Sequence, residues 1–419
     1  MNIQRQVALV QIMSPVGEWV NVGFLRNQNE FTRFEYAPGY WNDPNRPILG
    51  QVFEERGRDW MPSQRVALPT WFSHLLPEGY LRHAVSAAIG GKPQREFPML
   101  IRLGESDLPG AVRVLLSDEE DDSIPDVEDF HTHEEEQDDE EAVLKFSLAG
   151  VQPKFSVMLD PVKGLTIPAR GQAGDFIVKL PDGRPGFERV PEAELAALTL
   201  AKEAGITVPS AFLCDVSEIS GLPEWARSHP GKALAIRRFD RLLDGGRVHA
   251  EVLAQVLDVP TANERLKYTR ANFETIASVV DALCGADSAL EVIDRIVLNV
   301  LVGNGDAHLK NWAVIYPDGV TPELSPAFDI LPTVLYIKDD NLGVKLNNSR
   351  SFTDVSRRSF DRLADRVGLS RSEVDERVAE TVSAVEMGWS VLGEFLDLKS
   401  YNRLTAWRNK LPLFQSFRS

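Results

Sequence analysis

The sequence predicts an α+β protein built around more than one core, with a mixed α/β N-terminal part and a mostly helical C-terminal part. Two observations lead there. Short runs of alternating apolar residues fill positions 5–35 and return at 155–159, 176–180, 210–216 and 232–239, whereas helical periods dominate beyond residue 250. At 419 residues the chain also exceeds what one hydrophobic core usually supports. The divisions expected are a first unit over 1–117, an acidic connector over 118–141, a second mixed unit over 142–245 and a helical unit over 246–419.

In the first unit Val7, Leu9 and Gln11, then Val20, Val22 and Phe24, alternate on either side of Ser14-Pro15-Val16-Gly17, which reads as a β-meander. Residues 70–79 and 80–89 read as helical, with Gly90-Gly91 as the stop. His74 has no partner in sequence and reads as a packing residue. The formal net charge is −17, but residues 118–141 hold 15 Asp and Glu and no Lys or Arg, so the rest of the chain stands near −2. Such a block cannot bury enough apolar surface to order itself and is expected to be a solvated, disordered connector. The near-neutral body excludes an argument from bulk charge for or against nucleic acid. Cys214 and Cys284 lack metal-ligand spacing and suit a reducing cytosol. No leader pattern follows the N-terminus and no segment is long enough to span a bilayer, so a cytoplasmic protein without a membrane role is expected.

The second unit carries the first chemistry. Phe155, Val157 and Leu159 mark a strand, preceded by a turn containing Ser147, Gly150 and Lys154. Free backbone N–H groups beside a cation can cradle phosphates, although a plain hairpin entry reads equally well from these residues. A further strand over 175–181 sets Lys179 on the face opposite Phe176 and Val178. On the helix that follows, over 191–204, Glu194 shares a face with Ala197, Leu198 and Ala201, which directs its carboxylate at packed residues. Lys179 with Glu194 would form the strand-lysine to helix-glutamate ion pair that positions nucleotide phosphates; the plainer alternative leaves Glu194 at the helix margin. Gly205 ends the helix, and strands follow over 210–216 and 232–239. Arg237-Arg238-Phe239-Asp240-Arg241 then leads to Asp244-Gly245-Gly246, where one unit can hinge on the next.

In the helical unit an apolar run over 290–302 precedes Gly303-Asn304-Gly305-Asp306-Ala307-His308-Leu309-Lys310-Asn311-Trp312. Asp306 and Asn311 stand as D-x-x-x-x-N, the spacing by which a phosphotransferase loop holds an acceptor-orienting Asp and a Mg²⁺-binding Asn. A hairpin of strands over 312–316 and 323–330, turning at Pro317-Asp318-Gly319, would return Asp329 to the neighbourhood of Asn311. Base, metal amide and metal carboxylate in one cleft would suffice to transfer a γ-phosphoryl group. Helices over 352–367 and 371–396 follow, the second opened by Ser370 and Glu373 as a capping box.

Taken together and in order, these motifs resemble the HipA-like serine/threonine kinases, the toxins of bacterial toxin–antitoxin modules. The resemblance covers nearly the whole chain, including Leu75-Leu76-Pro77 in the first unit. It implies a two-lobed kinase-like fold with an extra N-terminal subdomain. It implies that Asp306 is the catalytic base, that Asn311 and Asp329 hold Mg²⁺, and that Lys179 contacts ATP phosphates beside Glu194. The loop Ala149, Gly150, Val151, Gln152, Pro153 and Lys154 would cover the nucleotide, Arg237, Arg238 and Phe239 would receive the adenine, and His308, Lys310 and Phe328 would complete the ATP site. Ser147 would be an inhibitory autophosphorylation site. Partners implied are a protein substrate in the translation machinery, such as an aminoacyl-tRNA synthetase, and a helix-turn-helix antitoxin, with operator DNA reached through it. The chain departs from the family in having Arg237 where an acidic residue can stand, and in the length of its acidic connector. A small-molecule phosphotransferase of the aminoglycoside-kinase type shares G-D-x-x-x-x-N and is the alternative; the Ser147 loop and the extra subdomain speak against it. A non-catalytic, antitoxin-binding protein would need a missing catalytic group, and none is missing.

Overall fold

The computed structural model describes residues 5–88, 90, 92, 95–105, 107–117, 154–160, 163–168, 172–227 and 231–417. The acidic connector, Ser147 and residues 149–153 therefore lie outside the described residues.

Among the described residues three sheets carry the fold. The first contains β1 (Arg5–Met13), β2 (Trp19–Gln28), β3 (Phe31–Tyr36), β4 (Ser63–Arg65) and β5 (Val112–Leu116) in the order β4-β3-β2-β1-β5. Ala8, Val10 and Ile12 of β1 are fully buried, as the two-residue period of a strand with one covered face requires. Asn29 and Glu30 both adopt positive φ (51° and 66°), the backbone that lets a two-residue turn match the strand twist between β2 and β3.

The second sheet contains β6 (Lys154–Asp160), β7 (Gly164–Thr166), β8 (Phe176–Lys179), β9 (Ala211–Asp215) and β10 (Lys232–Arg237) in the order β7-β6-β8-β10-β9, all antiparallel. Its register sets Lys154 directly opposite Lys179 on adjacent strands. Like charges so placed repel, so this face needs carboxylates. Helix α1 (Val190–Glu203) supplies one of them and packs against β10. The two faces of β10 feed different cores. Ala233 and Ala235 join the first sheet's core, whereas Leu234 and Ile236 join the core shared by α1 and the helices beyond residue 250.

That second core is built on α2 (Phe273–Cys284), α3 (Ala286–Val302), α4 (Arg371–Gly388) and α5 (Leu398–Lys410). Asn272 caps α2, Ser370 caps α4 and Asp397 caps α5, each side chain accepting a backbone N–H three residues on. Two expectations change here. Residues 352–367 are not one helix: they run as 3-10 turns Phe352–Asp354 and Arg357–Phe360 before the helix Asp361–Val367. The period expected to run to 396 breaks at Gly388 into a 3-10 turn and a short helix, Leu392–Phe395.

A third sheet, β11 (His249–Val252), β12 (Ala313–Tyr316) and β13 (Glu323–Leu324), floors the space between the cores. The hairpin expected over 312–330 forms, but its return strand is only two residues long. Pro326 has no N–H to give, Ala327 donates instead to Thr207 O, and Asp329 turns to φ 54°, outside strand geometry. Among the described residues no helix is long and apolar enough to cross a membrane.

Candidate active site

Helix α3 delivers the loop. It ends at Gly303 in the left-handed region (φ 69°), where an added Cβ would collide with the Val334 side chain, so glycine is required by both conformation and space. Asn304 then organises the turn. Its side-chain carbonyl accepts the Asp306 N–H at 3.0 Å, while its amide donates to Asn299 Oδ1 at 2.8 Å and to the backbone carbonyl of Asp329 at 3.4 Å. Asn311 closes the loop, donating Nδ2 to the Asp306 carbonyl at 2.7 Å. That donation leaves the Asn311 side-chain oxygen as the atom available to a metal. Asn311 and Asp329 line one recess, together with Asn304 and Phe328.

The carboxylate of Asp306 is half exposed and accepts a hydrogen bond from the Tyr268 hydroxyl at 2.6 Å. Burial and the adjoining Asp306 push the Tyr268 hydroxyl well above its ordinary pKa, so it stays a donor. His308 stands edge-on to the Tyr268 ring, centroids 4.8 Å apart.

Lys179 lies between two carboxylates, donating to Glu194 and to Asp329. Burial opposes its charge, but Asp329 and Glu194 outweigh burial and raise its pKa. Asp329 is likewise opposed by burial and is held far below the usual carboxylate range by Lys179 and Lys154. Lys154 is the contrast. It is 5 % exposed and has no ion-pair or hydrogen-bond acceptor among the described residues, and burial lowers its pKa.

Lys154, Lys179 and Asp329 border a cleft. Ile177 and Ile236 line it from the second sheet, and Val252, Ala313 and Phe328 line it from the side of the third. Phe239 closes the edge, its ring 5.6 Å from that of Phe328. The chamber is thus apolar where a planar base would lie and cationic where its phosphates would lie. A buried ammonium that borders such a space without a hydrogen-bond acceptor among the described residues fits an anionic ligand. One carboxylate and one amide oxygen fit Mg²⁺, which keeps waters and shares phosphate oxygens; among the described residues no cluster of three or more His, Cys, Asp or Glu offers a closed metal cage.

Not every expected ATP contact faces this cleft. Arg237 borders it, with its guanidinium 5.4 Å above the Phe176 ring. Arg238 borders it too, but its guanidinium is buried in bonds to Asp107 at 2.6 Å and to both oxygens of Asp240. Its side chain therefore ties the hinge to the first unit rather than reaching for a base. His308 does not line the cleft and is engaged with Tyr268. Lys310 lines it, yet its amine is bonded to Glu78 at 2.7 Å. His74 is buried, donates Nε2 to Val259 O at 2.7 Å and is lowered by burial to about 3, consistent with a neutral packing residue. Glu78, Lys267, Tyr268 and Asp107 are the groups that sequence reasoning missed. Each is a lone polar residue with its partner far along the chain, and only Glu78, beside Leu75-Leu76-Pro77, adjoins a motif.

Comparison with known proteins identifies the family and the fold. The family model of the HipA N-terminal domain matches residues 18–115, and that of the HipA-like C-terminal domain matches residues 146–389. A relative from Sinorhizobium fredii named "Putative kinase Y4dM" is 40 % identical over 375 residues, covering 86 % of this chain and 87 % of its own. "Putative kinase Y4mE" of the same organism is 27 % identical over 405 residues, 90 % of each. A chain in the structure of the Shewanella oneidensis MR-1 toxin–antitoxin system, HipA, HipB and its operator DNA, superposes with a TM-score of 0.68 at 17 % identity, over 98 % of this chain and 99 % of that one. That likeness establishes the fold. With both domain models matched in order and a close relative along most of its length, the chain belongs to the HipA family.

Proposed function

We propose that this protein is a cytoplasmic serine/threonine kinase that moves the ATP γ-phosphoryl group to a protein hydroxyl, in a substrate drawn from the translation machinery. The observation that carries the reading is the cleft in which Lys179, held by Glu194 and Asp329, faces Lys154, which has no hydrogen-bond acceptor among the described residues, beside the Asp306 and Asn311 loop. In this reading the adenine lies between the Ile177 and Ile236 side and the Val252, Ala313 and Phe328 side, with Phe239 at the edge. Lys154 and Lys179 hold the phosphates. Asp306 orients the acceptor hydroxyl and takes its proton as the hydroxyl oxygen bonds to the γ-phosphorus and the bond to the ADP oxygen breaks. Mg²⁺ held by Asp329 and Asn311 would neutralise charge on the phosphates.

Regulation in this reading has two arms. Ser147 receives a phosphate, adding about −1.5 to −2 charges next to the acidic residues 118–141, and repulsion withdraws the segment over 149–153 that leads into Lys154 of β6. A helix-turn-helix antitoxin binds the protein and links it to operator DNA. The test is incubation with labelled ATP and Mg²⁺, with and without cell lysate, followed by mass spectrometry of every phosphorylated protein. Label on a lysate protein and on Ser147 is expected. No transfer to any protein by the wild type would overturn the kinase; a labelled lysate protein with unmodified Ser147 would overturn only the switch.

A further inference from the structure

Glu78 carries the first unit to the 303–312 loop. Glu78 precedes the helix Gly79–Ala88, and its carboxylate accepts from Lys310 at 2.7 Å through one oxygen and from Lys267 at 2.7 Å through the other. All three groups are largely buried, with side-chain exposures of 15 %, 5 % and 11 %. Burial would raise the pKa of Glu78, but Lys310 and Lys267 outweigh it and keep the carboxylate ionised. Both lysines lead to Asp306. Lys310 lies on the same loop, four residues on. Lys267 precedes Tyr268, whose hydroxyl is bonded to the Asp306 carboxylate, and the Lys267 amine lies 5.6 Å from that ring.

The segment bearing Lys267 is also laid along the first unit by two nearby contacts, Ser73 Oγ with Thr261 Oγ1 at 2.7 Å and His74 Nε2 to Val259 O at 2.7 Å. One carboxylate therefore gathers the two elements that carry the base and its hydrogen-bond partner. We propose that Glu78 is a positioning residue for Asp306, through which docking of the first unit sets the geometry of the base. The proposal rests on the kinase reading above. Misplacing reacting groups by about 1 Å can cost about 10²-fold in rate without loss of binding, so the signature belongs in kcat.

The experiment compares wild type, Glu78→Gln, Lys267→Met and the double variant, all as the full chain, in phosphoryl transfer from MgATP to protein, with nucleotide affinity by calorimetry. Glu78→Gln is expected to lower kcat by about 10²-fold while KM for MgATP and calorimetric affinity stay at wild-type values. The double variant is expected to be no slower than its slower parent, because Lys267→Met cuts one of the two connections that Glu78→Gln already weakens. A Glu78→Gln enzyme that binds MgATP and keeps kcat within about threefold, well short of that loss, overturns the proposal, and so does additivity in the double variant. Were Glu78→Gln not to fold, Lys267→Met decides: lowered kcat with retained affinity supports the positioning, and unchanged kcat overturns it. A wild type without transfer activity overturns the kinase reading and this inference with it; an active wild type confines any failure to Glu78.

Discussion

Among the described residues, two buried ion clusters flank the 303–312 loop with opposite composition. In one, a single lysine, Lys179, bridges two carboxylates, Glu194 and Asp329; in the other, a single carboxylate, Glu78, bridges two lysines, Lys267 and Lys310. In their ordinary charge states the bonded groups sum to −1 in the first and +1 in the second, and burial, which raises the Glu194 pKa, eases the first excess. A buried excess charge is expensive unless a partner brings its complement. Asp329, beside Asn311, has an excess that a cation would neutralise, whereas Lys310 is held by Glu78 and the cleft's remaining cation is Lys154, which acts on Asp329. In the proposed reading a metal-bound triphosphate would bring its cation to Asp329 and its phosphates to Lys154. The contrast separates a cluster open to a ligand from one closed on itself, which ties the first unit to the 303–312 loop.

The largest expected effect separates chemistry from both clusters. Asp306→Asn should lower turnover about 10²–10⁴-fold with MgATP affinity retained, because Asp306 bonds to Tyr268 and to neither cluster. Initial rates near wild type would remove it as the base. Next comes the one-lysine cluster itself. Lys179→Met leaves Glu194 and Asp329 without their shared cation and should cost about 3–5 kcal/mol in denaturant unfolding, the cost of breaking a buried pair. Glu194→Gln, which leaves Lys179 bonded to Asp329, should cost less; the reverse order would break the comparison.

Asp329→Ala sharpens it from the ligand side. Nucleotide titrations with and without Mg²⁺ should coincide in this variant and differ in wild type, since Asn311 alone is a neutral ligand. A preserved Mg²⁺ dependence would reassign the metal carboxylate. The smallest effect concerns Glu251, a buried carboxyl outside both clusters that joins the first unit to β11. Trp71, Tyr316 and the Gln51 N–H all donate to it, yet burial pushes it up from 4.5 to about 7. Between those values the folded protein holds a proton that the unfolded chain releases, so this group's contribution to stability falls as pH rises from 4.5 to 7. Thermal unfolding across that window should show a shallower fall in Glu251→Gln than in wild type. Parallel curves would mean that Glu251 does not titrate there.

What the sequence determined by itself was local and periodic. The alternation in β1, β6 and β8, the helical face of Glu194, the capping Ser370 and the D-x-x-x-x-N loop are legible because side-chain direction follows from backbone repeat within a few residues. Asp329 was an intermediate case. Its return toward Asn311 follows from the hairpin, but Pro326 and the positive φ at Asp329 end the strand early, so a turn rather than a strand presents the carboxylate. Tertiary structure alone decided which lone charges meet. Glu78 is 189 residues from Lys267 and 232 from Lys310, and Arg238 is 131 from Asp107. No periodicity marks such pairs, because they exist only once the first unit has docked against the hinge and the catalytic loop. The same holds for Lys154 facing Lys179: each strand was legible singly, but the register between them is a property of the assembled sheet, set by which faces the two cores bury.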